Sequence, residues 1–202
     1  ISSSEAEIIS NTFVYSGLYI EDSAASDFKK YSVNGNTVNG KTLGFIADSS
    51  NLKITEEYGQ LYLINCYNAT VSNIEISNTV FGLYLINCSE SLIHESSFNN
   101  NTESGVYIRS SNSVTIEKCS FNDNSKSGIK LELSNYANIV NNTCTNNTEA
   151  GIYTISDHNT IENNTCSFNE DGIRVEDGYY TTVYKNYLYN NTHGIYLLDH
   201  SA

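Results

Sequence analysis

The charged groups with chemistry to offer gather toward the end of this chain. Asp157, Asp177 and Asp199 follow Gly151, Gly172 and Gly194 by five or six residues, and His158 and His200 stand beside two of them. If those glycines mark equivalent points of a repeat, the three carboxylates line up about one repeat apart. Like charges at that spacing repel unless a cation or solvent relieves them. Oxygen donors of this kind suit Ca2+, the one cofactor the pattern suggests; a solvated turn column in an acidic protein explains the same residues without a metal. Arg174 with Asp177 and Asp199 is the set that could serve as a lyase site, a cationic base beside carboxylates. Hydrolysis of a glycosidic bond would instead need two carboxylates facing each other about 5–10 Å apart. The adjacent pairs Glu170-Asp171 and Glu176-Asp177 do not supply this in a strand, where neighbours point to opposite faces.

What could position such groups is a repeat. Glycine recurs at 59, 82, 105, 128, 151, 172 and 194, at intervals of 23, 23, 23, 23, 21 and 22 residues. Six of the seven open one phrase, as in Gly82-Leu83-Tyr84-Leu85, Gly105-Val106-Tyr107-Ile108 and Gly194-Ile195-Tyr196-Leu197. Upstream run three columns. The first is Val71, Ile93, Ile116, Ile139, Ile161, Val183; the second Ile74, Ser96, Cys119, Asn142, Asn164, Asn186; the third Ile76, Phe98, Phe121, Cys144, Cys166, Leu188. Apolar residues two apart have strand periodicity, and no apolar face of helical period is long enough for a substantial helix. A fixed period of this length marks stacked units, each unable to bury its apolar face alone.

The expected fold is all-β: a right-handed parallel β-helix of about nine coils, with about 22–23 residues per coil. It forms one domain over 1–202, with irregular coils over 1–58 and regular repeats over 59–202. In the irregular stretch Ile8, Asn11 and Phe13 fit the three columns, followed by Gly17-Leu18-Tyr19-Ile20; Phe28, Tyr31 and Val33 fit again, and Leu52 opens the coil leading to Gly59. Stacked Asn142, Asn164 and Asn186 are expected to bond amide to amide along the axis. Clusters such as Asn99-Asn100-Asn101 and Asn146-Asn147 belong at turns, where asparagine tolerates left-handed backbone.

The columns also sort the remaining candidates. Tyr62, Tyr84, Tyr107, Tyr153 and Tyr196 form an outward ladder, with Lys130 and Arg174 in the same column; it reads as a contact surface for sugars or subunits, or as cross-coil stacking alone. Cys66 and Cys88 share a column and are near disulfide range, as are Cys144 and Cys166; each pair also reads as small buried hydrophobes. Seven Asn-x-Ser/Thr sequons, at Asn68, Asn87, Asn100, Asn141, Asn146, Asn163 and Asn190, could carry glycans if the chain is exported. A net charge of −13 with two arginines, Arg109 and Arg174, argues against nucleic acid and anionic membrane surfaces. There is no apolar run long enough to span a membrane.

The repeat, with phrases such as Asn141-Asn142-Thr143-Cys144 followed by Gly151-Ile152-Tyr153, resembles the parallel β-helix repeat proteins. The stretches Asn36-Thr37-Val38-Asn39-Gly40-Lys41-Thr42-Leu43 and Gly59-Gln60-Leu61-Tyr62-Leu63-Ile64-Asn65-Cys66 look closest to the NosD-like group of copper-binding and carbohydrate-binding or sugar-hydrolase proteins, common among exported archaeal proteins. The resemblance implies fold over nearly the whole chain. It names copper delivery, which the chain does not support: it has no methionine, and its histidines are His94, His158, His193 and His200. Polyuronide-cleaving enzymes on this fold cluster aspartates with a histidine, or calcium-binding aspartates with a cationic base; the Asn-Thr-Asp, Asp-Asp and Gly-His-Gly signatures do not occur here.

Three functions are therefore expected in turn. The first is a non-catalytic extracellular or cell-surface structural protein, such as a surface-layer module, adhesin stalk or filament subunit. The second is a polysaccharide-binding or polysaccharide-cleaving protein, and the third a periplasmic metal-accessory protein. The first expects head-to-tail association, with Ile8, Phe13, Leu18 and Ile20 on one end and Val183, Leu188, Ile195 and Leu197 on the other.

Overall fold

The computed structural model describes residues 6–21 and 24–199, so His200 lies outside the described residues. The chain winds into a parallel β-helix with three long sheets along its axis and a two-stranded sheet, Ala6–Ile9 on Tyr31–Asn34, near its N-terminal end. The largest has ten strands, in the order Thr12–Phe13, Thr37–Val38, Lys41–Ala47, Gln60–Ile64, Leu83–Ile86, Val106–Arg109, Ile129–Glu132, Ala150–Ile155, Asp171–Glu176 and His193–Leu198. A seven-stranded sheet runs from Lys53–Ile54 to Thr182–Tyr184, and a six-stranded one from Glu75–Ser77 to Tyr187–Tyr189. Each strand of the regular repeats pairs with its counterpart one coil away, so equivalent residues sit directly above one another, as in Leu83↔Val106 and Ile93↔Ile116. The inward columns form one continuous core, with Phe98 and Phe121 stacked at 5.7 Å. Cys144 and Cys166 follow Phe121 in register with no exposed surface, as small core residues.

Corners are made by single residues in left-handed backbone. In one coil these are Ser110, Ser113, Lys118 and Asp123, and each precedes a buried residue: Ser111, Val114, Cys119 and Asn124. At three of these corners the N–H of the buried residue donates to a side chain one coil on. Ser111 N reaches Ser134 Oγ at 3.0 Å, Cys119 N reaches Asn142 Oδ1 at 3.0 Å, and Asn124 N reaches Asn147 Oδ1 at 3.1 Å. The expected asparagine ladder forms, Asn142 Nδ2 to Asn164 Oδ1 and Asn164 Nδ2 to Asn186 Oδ1, both 3.0 Å. A second ladder, Asn101, Asn124, Asn147, Asn169 and Asn191, runs beside it with amide bonds of 2.9–3.0 Å. The turn clusters therefore divide between two jobs: Asn100 and Asn146 are the left-handed corners, while Asn101 and Asn147 are buried rungs.

The first 58 residues depart from the expected register. Ile8, Asn11 and Phe13 stack on Val33, Asn36 and Val38, not on Phe28, Tyr31 and Val33. Phe28 instead ends a four-residue helix, Ala25–Phe28. Asn39 and Gly40, both with positive φ, make the two-residue turn that lays Thr37–Val38 antiparallel on Lys41–Ala47. That pair covers the N-terminal edge of the parallel stack. Ile8 and Phe13 pack into a small cluster around Val33, Val38 and Leu43, while Leu18 and Ile20 lie against the outer face of the ten-stranded sheet. Leu18 and Ile20 thus lie off the N-terminal end, whereas Ile8 and Phe13 belong to the strands that end the sheets there. Among the described residues no helix is long and apolar enough to cross a membrane.

Candidate functional site

Along the outer face of the ten-stranded sheet, Tyr62, Tyr84, Tyr107, Lys130, Tyr153, Arg174 and Tyr196 stack in register. The expected ladder is present, but its two ends differ. Tyr62 is fully buried, and Tyr84 is buried except for the edge that lines the cleft beside it. A strap of residues 14–21, followed by the short helix, crosses them and brings Leu18, Ile20 and Phe28 onto the sheet. Tyr62 donates its hydroxyl to Leu18 O at 2.6 Å, and the fully buried Gln60 amide clamps the Leu18 backbone from both sides at 2.8 Å. Burial pushes the Tyr62 hydroxyl well above its ordinary pKa.

Beyond the strap the column is a stack of rings and cations. Tyr84 and Tyr107 lie 4.7 Å apart and nearly parallel. Lys130 Nζ sits 5.3 and 5.4 Å from the Tyr107 and Tyr153 rings, and the Arg174 guanidinium 5.2 and 4.9 Å from Tyr153 and Tyr196. Ring faces in this column are largely occupied by neighbours, so the groups it offers a ligand are hydroxyls and charges. The next outward column pairs Arg109 Nη1 with Glu132 Oε1 at 2.5 Å. Tyr107 donates to Glu132 and Tyr153 to Glu176. Desolvation first, and these carboxylates second, raise both tyrosine pKa values.

The strap and the sheet enclose a cleft of about 310 Å³. Its aromatic lining is Tyr19, Phe81, Tyr84 and Tyr107, and its charged lining is Glu21, Glu103, Arg109, Lys126 and Lys130. Lys126 pairs with Glu103 at 2.6 Å. Among the described residues Lys130 has no carboxylate within ion-pair distance and is held by rings alone. Farther along the same face, the buried Asp171 holds His193 Nδ1 at 2.8 Å. Arg174 Nη1 lies 3.4 Å from Glu149 and its Nε 3.6 Å from Asp171, without a hydrogen bond to that nitrogen. A buried carboxylate in this position fixes the orientation of the half-exposed imidazole.

The carboxylates singled out by sequence do not assemble as expected. Asp157 lies one position out of step with the others: its carboxylate accepts the N–H of Tyr179 at 2.8 Å, and its own N–H donates to Asn135 Oδ1. Asp177 is itself a left-handed corner, with its N–H bonded to Leu198 O, and Asp199 lies beside it around Val175 and Leu197. The difference of five against six residues after glycine is a whole step at a tight corner, so the three-aspartate column is not formed. No group of three or more His, Cys, Asp or Glu among the described residues is placed to hold a metal. Arg174 faces outward from its strand toward Glu149 and Asp171, so the lyase set of Arg174 with Asp177 and Asp199 gives way to those partners. The one hint for Asp171 and His193 was that both immediately precede the repeat glycines.

All seven sequon asparagines are exposed and left-handed. The motif follows from the coil itself: a corner asparagine, a buried residue, then Ser or Thr at or near the start of the next straight stretch, as in Asn141-Asn142-Thr143. Asn68, Asn87, Asn146 and Asn163 already donate their amides to neighbouring side chains. The five cysteines are buried and free, Cys66 and Cys88 included.

The family described as right handed beta helix region matches residues 59–202, most of the chain and all of its regular repeats. No curated protein matches it. The chain belongs to the right-handed β-helix family.

Proposed function

We propose that this chain is a non-catalytic extracellular β-helix that holds a polysaccharide along the outer face of its ten-stranded sheet. The observation that carries this reading is the cleft between strap and sheet, where Lys130, among the described residues, has no carboxylate partner and stands near Glu103, Arg109 and the Tyr107 hydroxyl. Among the described residues three cations stand against two carboxylates in its lining, and Arg109 is shared with Glu132, so the site suits a neutral or weakly acidic glycan. Such a ligand would be gripped through its hydroxyls by charge-assisted hydrogen bonds. The stacked coils continue the face past Arg174 and His193, which favours an extended chain over a single sugar. The likeness of the repeat phrases to the NosD-like group supports an exported, carbohydrate-facing role. A cell-surface structural role is compatible with this reading.

Affinity electrophoresis through gels containing neutral and acidic polysaccharides tests it. Retardation by at least one polymer is expected, with Lys130→Ala weakening it about tenfold or more, the worth of a charged hydrogen bond of about 1.5–3 kcal/mol. Lack of retardation in every gel, or a Lys130→Ala variant that binds like the parent with the same fold, would refute the assignment.

A further inference from the structure

Cys66 and Cys88 occupy one column, immediately after the corner residues Asn65 and Asn87. The next three coils place Ser111, Ser134 and Ser156 there. In each coil the side chain accepts the N–H of the coil before: Cys88 Sγ from Cys66 N at 3.3 Å, Ser111 Oγ from Cys88 N at 2.7 Å. A hydroxyl fulfils this role wherever it occurs, so acceptance alone does not account for two consecutive thiols. The pair is in register, since Ile64↔Ile86 and Tyr67↔Ser89 flank it. In-register residues stand about 4.8 Å apart, within the Cα separation of a disulfide. Cys88 Sγ also leans back to Leu63 O at 3.2 Å, into the coil that carries Cys66. The Cys66 sulfur makes weak contacts, at 3.5 and 3.7 Å, to the carbonyls of Ile64 and Ile46 and meets the Cys88 side chain. It lies one layer below the exposed Asn65 and Tyr67.

We propose that Cys66 and Cys88 are an oxidation site, a dithiol that closes into a disulfide between successive coils by exchange with a small-molecule disulfide. The Cys66 thiolate attacks the reagent's S–S bond, forming a mixed disulfide and releasing one thiolate. The Cys88 thiol then loses its proton to solvent and attacks the Cys66 sulfur, releasing the second. Two protein thiols are oxidised, and one disulfide is reduced to two thiols. The neighbouring Cys88 draws the Cys66 thiol below its ordinary pKa, which favours Cys66 as the attacking sulfur. Cys144 and Cys166 are a natural control. They are likewise in register one coil apart, but in mid-strand, and neither has exposed surface, whereas Cys66 retains a little.

The test incubates the reduced protein with oxidised glutathione at mildly alkaline pH and counts thiols after denaturation. The count is expected to fall from five to three, with a loss of two hydrogens in intact mass. Cleavage after glutamate separates Cys66 in 58–75 from Cys88 in 76–90, and these two peptides should be recovered joined. Cys88→Ser should stop at a stable glutathione adduct on Cys66. A count that stays at five, an adduct on Cys66 of the parent that never resolves, or a Cys144–Cys166 crosslink in place of the expected one would each overturn the proposal.

Discussion

At the scale of single residues, two adjacent asparagines do opposite work. Asn146 is an exposed corner at φ 58°, and its amide bonds Asp123 at the surface. Asn147 is buried: it accepts from Asn124 N and Nδ2, and donates to Phe121 O and Asn169 Oδ1. Asn147→Ala would strand those groups in a dry core and is expected to cost about 2–4 kcal/mol, since each unpaired buried group costs about 1–3 kcal/mol. Asn146→Gly keeps the left-handed corner open and should change stability by less than about 1 kcal/mol. Urea midpoints of the two variants check this; similar losses would mean that the corner and rung are misassigned. The corner role was legible, because asparagine clusters signal left-handed turns. The second ladder was not, because an Asn-Asn pair does not announce which member faces inward. Only the register of the neighbouring coils decides that.

At the scale of the repeat element, the glycines have a physical reason that their spacing did not reveal. Within the regular repeats they recur not for backbone freedom but for lack of room. A Cβ on Gly128 would stand 2.7 Å from Gly151 O and 2.9 Å from Phe121 Cβ, whereas one on Gly194 would meet nothing closer than 3.9 Å. Gly128→Ala must therefore push neighbouring coils apart and should lose about 1–3 kcal/mol. Gly194→Ala should be neutral or gain up to about 1 kcal/mol by restricting the unfolded chain. Thermal denaturation of the two variants distinguishes them, and equal loss would show that coil spacing is not the constraint. The same reasoning applies to the strap. A Cβ on Gly17 would fall 2.3 Å from Thr79 Oγ1 and 2.5 Å from Gln60 Oε1. Gly17→Ala is thus expected to lift residues 17–20 from the sheet, read as faster hydrogen exchange at the Leu18 amide that Gln60 now holds.

At the scale of the whole molecule, the parallel stack over 59–202 was written plainly in the period, because every coil repeats the same demand for inward apolar residues. The N-terminal region was not, because two rungs of similar residues can be threaded in more than one register; the Asn39-Gly40 turn was the signal that they reverse onto the stack. The strap has no period at all, so the cleft and the burial of Tyr62 and Tyr84 could not be read from spacing. Its sealing of the face makes stability depend on alkaline pH. The Tyr62 hydroxyl has a folded pKa raised above its ordinary value of 10.0. Its contribution is fully present below pH 10 and is lost as pH rises from there toward the folded value, at up to about 1.4 kcal/mol per pH unit for one proton. Tyr62→Phe removes that proton and the 2.6 Å bond to Leu18 O. The variant should be less stable than the parent by about 1 kcal/mol near neutrality. Above pH 10 the parent should lose stability faster, and the two urea-denaturation curves should converge. The negative charge gained by the other tyrosines at high pH is common to both proteins and cancels in the comparison. Parallel curves across pH 9–11 would mean that water reaches Tyr62 beneath the strap, and the cleft would then lose the closed wall that the proposed glycan site requires.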